Sequence, residues 1–290
     1  MNYEVKALPE DFVVKEISSV QPKPSGKYTY FLLKKRDQTT LEALEKLASR
    51  LKLPLKLFSC AGNKDRRAVT EQVCSVAGRP KLDNVIGFGE EPVHLGQLEG
   101  NRFEIAVRNL DVLPLIRPRF VNLFGEQRFS IRNADIGRAI VVRDFKCAAE
   151  LAGISAENPI NSLRQLPRKL LLLYVHAYQS LLWNRMAEEF AKTHSENILI
   201  PIIGFGSVDL DECAMRLLVN EKIAPRDFVI RELPEASAEG GERWLYAEAR
   251  DLVIGNLEDD DLHKGKKKVK LSFMLPKGCY ATEFIRQSFP

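Results

Sequence analysis

Residues 61–72 read AGNKDRRAVTEQ and place the acidic side chain of Asp65 directly among cationic ones. The short apolar run over residues 57–61 and the β-branched residues after position 68 predict two strands, so we expect Asp65 on the ordered connection between them. The neighbouring cations are Lys64, Arg66 and Arg67. They favour the ionised carboxylate and attract polyanions, which suits chemistry on a nucleic acid. The simpler interpretation is that Asp65 only pairs locally on a solvated turn.

The same stretch resembles the signature of the TruD family of tRNA pseudouridine synthases. In that family the string Gly-x-Lys-Asp-(Lys/Arg)-x-Ala-x-Thr-x-Gln carries the catalytic aspartate. Here its fixed places are filled by Gly62, Lys64, Asp65, Arg66, Ala68, Thr70 and Gln72. Four more segments resemble the family in the expected order: PEDFVV at 9–14, GNRF at 100–103, FGEQRF at 124–129 and LPKGCYAT at 275–282, followed by Arg286. Together the segments span nearly the whole chain, which makes the resemblance far stronger than one motif would.

The resemblance implies an α+β fold. We expect a mixed, mainly antiparallel sheet of the pseudouridine synthase type, with an inserted α/β domain known as the TRUD domain. Residues 1–123 and 250–290 would form the discontinuous catalytic domain, and residues 124–249 the inserted domain. At 290 residues the chain is shorter than many relatives, so we expect a trimmed insertion.

The resemblance also implies an activity. The protein would isomerise a specific uridine of tRNA, by default at position 13, to pseudouridine after flipping the base out of its stack. Asp65 would be the essential carboxylate, and it would either attack the sugar or remove a proton at C2′. The reaction breaks the C1′–N1 bond and rejoins the base through C5, so it needs no redox change. We therefore expect neither a cofactor nor a metal.

Five residues around Asp65 are candidates for binding the substrate. By resemblance, Phe103 packs on the target base, Asn101 helps to hold it, and Phe12 fills a third family site. Taken alone, Phe12 and Phe103 are typical core residues of strands, and only their places in the motifs favour binding. Lys64 and Arg66 are expected to contact phosphate or to orient Asp65.

Composition limits the class of protein. The formal charge of +4 is too small to establish nucleic-acid binding by itself. The five cysteines are scattered singly and the four histidines form no ligand pair, which disfavours a zinc site or a disulfide framework. No apolar run is long enough for a membrane span, and the N-terminus lacks the apolar segment of a secretory leader. We expect a cytoplasmic monomer that acts on tRNA or another structured RNA.

The remaining pattern predicts local structure. Residues 12–17, 28–34 and 103–108 are typical strands, and Thr39 to Glu42 form a capping box that opens a helix. Glu104 and Arg108 are placed on the outward face of the third strand, with a turn at residues 100–101 before it.

Later segments show a change of pattern. Residues 136–152 and 166–190 are typical helices, the second with a core-facing apolar side. Residues 258–261 are acidic and precede several lysines, which predicts a solvated hairpin tip. Residues 281–285 return to a strand-like pattern.

Three other functions fit less well. An RNA-binding or RNA-folding protein without turnover is the main alternative, although a carboxylate facing a phosphate chain would not help binding alone. A metal-dependent nuclease requires clustered acidic residues, and Asp65 has none beside it. A methyltransferase would show a glycine-rich cofactor loop, and none is visible.

Overall fold

The computed structural model describes residues 2–290, which divide into two compact units. One unit comprises the residues up to Pro118 together with Glu248–Pro290, and the other comprises Arg119–Ala247. The first part of the chain holds β1 (Phe12–Ser18), β2 (Tyr28–Arg36), α1 (Thr40–Leu51), β3 (Phe58–Cys60), β4 (Val69–Ala77), β5 (Val85–Gly89) and β6 (Leu98–Leu110). The middle part holds β7 (Arg119–Val121), α2 (Glu126–Phe129), α3 (Asn133–Val141), α4 (Phe145–Leu151), α5 (Pro159–Arg164), α6 (Arg168–Thr193), β8 (Leu199–Ile202), α7 (Glu212–Glu221), β9 (Gly241–Trp244) and β10 (Tyr246–Glu248). The last part holds β11 (Arg250–Ile254), β12 (Glu258–Asp259), β13 (Lys267–Pro276) and α8 (Ala281–Ser288).

The first unit is built on a nine-stranded sheet. Its strands follow the order β11-β13-β6-β1-β4-β2-β5, with β12 paired to β13 and β3 paired to β4. The β1 and β4 strands run parallel, and the other pairs are antiparallel. The expectation of a mixed, mainly antiparallel sheet within an α+β fold is confirmed.

Helix α1 begins where the sequence predicts. The Thr39 hydroxyl accepts from the Glu42 N–H at 3.1 Å, and the Glu42 carboxylate accepts from the Thr39 N–H at 2.7 Å. The helix ends at Leu51, and Lys52 takes the left-handed conformation with φ of 55° shortly before Pro54. The capping box therefore orients α1 over one face of the sheet, where it covers the buried Phe31 and other apolar side chains of β2 and β4.

The second unit packs around α6, whose apolar side lies in the core as predicted. Trp183 and Tyr178 are fully buried there. Residues 136–152 are expected to form one helix, but they belong to two helices, α3 and α4. The helices are separate because Arg143 adopts a positive φ of 67° between them. Two short ribbons, β7 with β10 and β8 with β9, complete this unit.

The family-like segment at residues 124–129 is a packing element in the second unit. The side-chain amide of Asn184 bonds both backbone groups of Phe124, at 2.8 and 2.9 Å. The Phe124 ring packs edge-on against Trp183, and the Arg243 guanidinium lies 4.1 Å from its centroid. These contacts hold the start of the segment against α6.

Two local predictions are wrong. Gly100 and Asn101 lie inside β6 rather than in a turn, and glycine is required at position 100 because a Cβ there would collide with the backbone oxygen of Leu275 on β13. Residues 281–285 belong to helix α8 rather than to a strand. Phe284 of that helix is fully buried and packs on Phe273, so tertiary contacts decide its conformation.

The expected exposure is also wrong for Arg108 and, within the acidic run, for Asp260, whereas Glu258, Asp259 and Asp261 are exposed as predicted. Arg108 is buried and forms a bidentate ion pair with Asp11 at 2.8 and 2.9 Å, while its other terminal nitrogen donates to Asp260 and Asp261 at 2.8 Å. The hairpin of β12 and β13 forms as predicted, but it folds Asp260 inward onto β6. Burial acts to raise the pKa of Asp260, but hydrogen bonds from the backbone of Leu262 and Asn109 and from Arg108 lower it overall.

Within the described residues, no helix is both long and apolar enough to cross a membrane.

Candidate active site

The loop of residues 61–68 connects β3 to β4 and is held by side chains from two elements. The Gln72 side-chain amide donates to the Gly62 carbonyl at 2.9 Å. The Thr40 hydroxyl, from the first turn of α1, donates to the Gln72 side chain and accepts from the Lys64 N–H, both at 3.0 Å. The loop is therefore an ordered connection between two strands, as the sequence predicts.

Two lysines contact Asp65 from different directions. The Lys6 ammonium lies 2.5 Å from one carboxylate oxygen, and Lys35 donates to the backbone carbonyl of Asp65 at 2.5 Å. Burial lowers the pKa of Lys35 to about 8, although the negative charge of Asp65 acts in the opposite direction. The Asp65 side chain keeps 23% of its surface exposed, so its carboxylate is fixed in place and still reachable by a substrate.

An aromatic cluster adjoins this carboxylate through Lys6. The Lys6 ammonium lies 4.1 Å from the centroid of the Phe12 ring, within the range of a cation–π contact. Phe12 packs edge-on against Phe103 at 6.1 Å, and Phe103 stacks on Phe273 at 5.4 Å. Both Phe12 and Phe103 are buried, so they are core residues, and Phe12 is linked to Asp65 through Lys6.

Asn101 lies on the same face of the sheet as Phe103, because side chains two positions apart on a strand point to one side. It is paired with Glu16 of β1 and with Leu275 of β13. Its side-chain oxygen is buried and has no hydrogen-bond partner among the described residues. Such an acceptor is costly to leave unpaired, and it is therefore suited to receive a donor from a ligand.

The two cations next to Asp65 have different environments. The Lys64 ammonium is buried 2.6 Å from the Glu16 carboxylate, whose other oxygen accepts from the Val73 N–H at 3.2 Å. The Lys64 side chain therefore neutralises Glu16 and does not pair with the Asp65 carboxylate. The Arg66 side chain is 66% exposed, and its closest carboxylate, that of Glu42, is 3.8 Å away.

The structure adds Lys6, Lys35 and Glu16 to the predicted residues. The sequence could have predicted that Lys35 lies on the buried face of β2, because it follows Phe31 and Leu33 at spacings of two. Glu16 follows Phe12 and Val14 in the same way on β1. Lys6 carried no local signal, since it precedes the first strand and reaches Asp65 only through the folding of the chain.

Comparison with known proteins identifies the family of the chain. The family model described as tRNA pseudouridine synthase D (TruD) matches residues 1–158 and 187–288. A tRNA pseudouridine synthase D of Aquifex aeolicus is 28% identical over 386 aligned positions that cover 100% of this chain and 98% of the relative. Since this chain has 290 residues, the relative contains segments that this chain lacks.

A crystal structure of a TruD protein from Methanosarcina mazei shares the fold. It superposes with a TM-score of 0.74 at 25% identity and covers 98% of this chain and 93% of its own. The family model accounts for most of the chain, including every segment from which the resemblance was inferred. The chain therefore belongs to the TruD family of tRNA pseudouridine synthases.

Proposed function

We propose that this protein isomerises a specific uridine of tRNA, at position 13, to pseudouridine with Asp65 as the essential catalytic residue. The observation that carries the proposal is the setting of the Asp65 carboxylate. It is partly exposed, paired with Lys6 and anchored through its own backbone by Lys35. A carboxylate held in one geometry before the substrate arrives avoids the cost of being ordered during the reaction.

Asp65 would act at the sugar. Either its carboxylate attacks C1′ as the C1′–N1 bond breaks, or it removes a proton from C2′ to give a glycal. The detached uracil then turns and bonds to C1′ through C5. The hydrogen on C5 leaves as a proton and N1 gains one, so atoms and charge balance without an oxidant, a reductant or another substrate.

The target uridine must leave its stack to reach Asp65, and the residues on the same face of the sheet are suited to receive it. The unpartnered side-chain oxygen of Asn101 is an acceptor for the N3–H of uracil. Phe12 and Phe103 would form the aromatic wall of the pocket. Because both rings are buried, a base would touch their edges unless the aromatic cluster opens.

The charged neighbours would take separate roles. Arg66 is exposed and suited to contact a phosphate of the tRNA. Lys64 would contribute to binding indirectly, as a positioning residue, because its ammonium is paired with Glu16 and its backbone N–H is bonded to Thr40.

We further propose that the two compact units correspond to the catalytic domain and to the inserted TRUD domain. The contact-based division at Pro118 and Glu248 supports this organisation. We propose that the protein acts as a monomer in the cytoplasm, since its substrate is tRNA.

Replacing Lys6 by Met should lower turnover more than it lowers tRNA affinity. The substitution keeps the length of the side chain but removes the cation that fixes the Asp65 carboxylate against Phe12. A displaced catalytic group costs up to about 100-fold in rate, so we expect kcat to fall by about 10- to 100-fold with a smaller change in KM. Steady-state kinetics on unmodified tRNA measure both constants.

Lys15→Met is the matched control for this prediction. Lys15 is an exposed lysine of β1 that pairs with Glu104 at 3.0 Å. Its replacement should leave kcat unchanged. Equal kinetics for the Lys6 and Lys15 variants would show that the ion pair does not position Asp65.

The proposed function is tested with unmodified tRNA labelled with tritium at C5 of uridine. Release of tritium reports the loss of hydrogen from C5, and chemical mapping identifies the modified position. We expect release from a tRNA with uridine at position 13 and none from the same tRNA with cytidine there. Tight binding of several tRNAs without release of tritium would favour an RNA-binding protein without turnover. Pseudouridine at another position would overturn only the proposed target position.

A further inference from the structure

Two cysteines face each other at the base of the Asp65 loop. Cys60 is the last residue of β3, and it is directly opposite Cys74 of β4 in the antiparallel register. Both belong to the apolar cluster beneath α1. Cys74 is fully buried, whereas Cys60 is partly exposed. One residue of the pair is therefore partly exposed to solvent, and the other lies in the core of the sheet.

This arrangement is suited to a disulfide. Directly opposed residues of an antiparallel pair have Cα atoms about 4.5 to 5.5 Å apart. A disulfide spans Cα separations of about 4.4 to 6.8 Å. A hydrogen bond between the two thiols is also the largest influence on the pKa of each. The opposed register therefore places the two cysteines within reach of a disulfide.

The surroundings make the two thiols chemically unequal. A hydrogen bond from Cys74 and one from the Gly62 N–H lower the pKa of Cys60 to about 7, although burial acts against this. The hydrogen bond to Cys60 and burial raise the pKa of Cys74. Cys60 is thus the nucleophilic thiolate and Cys74 the protonated partner. In contrast, burial and the nearby Glu189 carboxylate raise the pKa of Cys213 to about 11.

We propose that Cys60 and Cys74 form a redox-responsive dithiol that hydrogen peroxide converts to an intramolecular disulfide. The Cys60 thiolate attacks one peroxide oxygen, the O–O bond breaks, and the hydroxide that leaves takes a proton to become water. The Cys74 thiol then attacks the sulfenic sulfur of Cys60, and the S–O bond breaks with loss of a second water. In sum, two thiols and one peroxide give one disulfide and two waters.

The disulfide would act on the loop through Gly62. The Gly62 N–H helps to lower the pKa of Cys60 because it stabilises the thiolate form, and the Gly62 carbonyl accepts from Gln72. A disulfide sulfur carries no negative charge and is a poorer acceptor, so this end of the loop loses a restraint. We expect turnover to fall by about 10- to 100-fold, the cost of a small displacement of a catalytic group. This consequence rests on the proposed role of Asp65.

Peptide mapping tests the dithiol without any activity assay. Trypsin cleaves after Lys64, Arg66 and Arg67, so it separates Cys60 and Cys74 into different peptides. The folded protein is treated with a small excess of peroxide, blocked with iodoacetamide, digested and analysed by mass spectrometry. We expect a linked peptide that joins the two fragments and disappears after dithiothreitol, while Cys213 is recovered alkylated.

Three variants complete the design. Cys60→Ser should abolish the linked peptide, and Cys74→Ala should leave a sulfenic acid on Cys60 that dimedone traps. Cys213→Ser, the matched control, should behave as the wild type. Oxidation of Cys213 or Cys147 before Cys60, or a disulfide between two molecules in place of the internal one, would overturn the proposal.

The effect of the disulfide on activity is measured separately, as turnover in the same samples. Peroxide should lower turnover in the wild type and in Cys213→Ser, with recovery after dithiothreitol, and the extent should follow the amount of linked peptide. If all molecules carry the Cys60–Cys74 disulfide and turnover is unchanged, the proposal that the disulfide regulates activity is overturned. If the reduced wild-type protein has no activity, the proposed function is overturned instead. The peptide map would still show whether Cys60 and Cys74 form the disulfide.

Discussion

Replacing Asp65 by Asn should abolish pseudouridine formation, with turnover falling by about 1,000-fold or more, since the side chain supplies the nucleophile or the base. Asparagine preserves the size of the side chain and can still accept a hydrogen bond from Lys6, so the loop should keep its conformation. It carries no charge at neutral pH, and it can neither attack C1′ effectively nor remove a proton from C2′. Tritium release from labelled tRNA measures the loss.

Asp83→Asn provides the control for this experiment. Asp83 is an exposed aspartate of the same unit, 3.6 Å from Arg50, and its replacement should leave turnover unchanged. Affinity for tRNA should be preserved in the Asp65 variant, because the carboxylate repels phosphate. A folded Asp65 variant with turnover within tenfold of the wild type would remove Asp65 from the chemistry.

Replacing Arg108 by Met should lower the free energy of unfolding by about 3 to 5 kcal/mol, as expected when one partner of a buried ion pair is removed. The Asp11 and Asp260 carboxylates would remain buried without their cation. The contact also joins three separate parts of the chain, because Asp11 precedes β1, Arg108 is near the end of β6, and Asp260 follows β12. Urea unfolding followed by circular dichroism gives the change.

Arg102→Met is a matched control on the same strand. Arg102 pairs with Asp251 at 3.2 Å, and both side chains are exposed. An exposed ion pair contributes about 1 kcal/mol or less, so the control should unfold close to the wild type. A double replacement, Asp11→Asn with Asp260→Asn, should reduce the loss caused by Arg108→Met. Equal losses for Arg102→Met and Arg108→Met would refute the buried network.

Much of the fold could be predicted from local patterns. The capping box at Thr39 and Glu42 places the start of α1, and alternation places β1, β2 and most of β6. The alternation of apolar and polar residues does not predict the burial of Arg108. It shows which face of a strand a side chain occupies, but it does not show which other residues cover that face. Helix α8 was missed for a related reason, since its short apolar run has no local signal that distinguishes a helix from a strand.

The candidate site was also only partly predictable from local sequence. The motif at residues 61–72 points to Asp65 as the proposed catalytic residue, and it leaves Lys64 and Arg66 either to contact phosphate or to orient Asp65. The structure instead pairs Lys64 with Glu16 and brings Lys6, 59 residues away in the chain, to the carboxylate. Sequence proximity therefore does not identify the cation that pairs with the carboxylate, because neighbouring side chains on a turn point in different directions.

The family, the mainly antiparallel sheet and the loop that carries Asp65 can all be inferred without a structure, because they follow from motif order, alternation and capping along the chain. Three features emerge only when the chain is folded: the cations that contact Asp65, the burial of Arg108 and Asp260, and the position of Cys60 opposite Cys74. Each of these depends on the pairing of distant segments. Strand register and burial set which side chains meet and how their charges are compensated, and neither can be read from residue spacing alone.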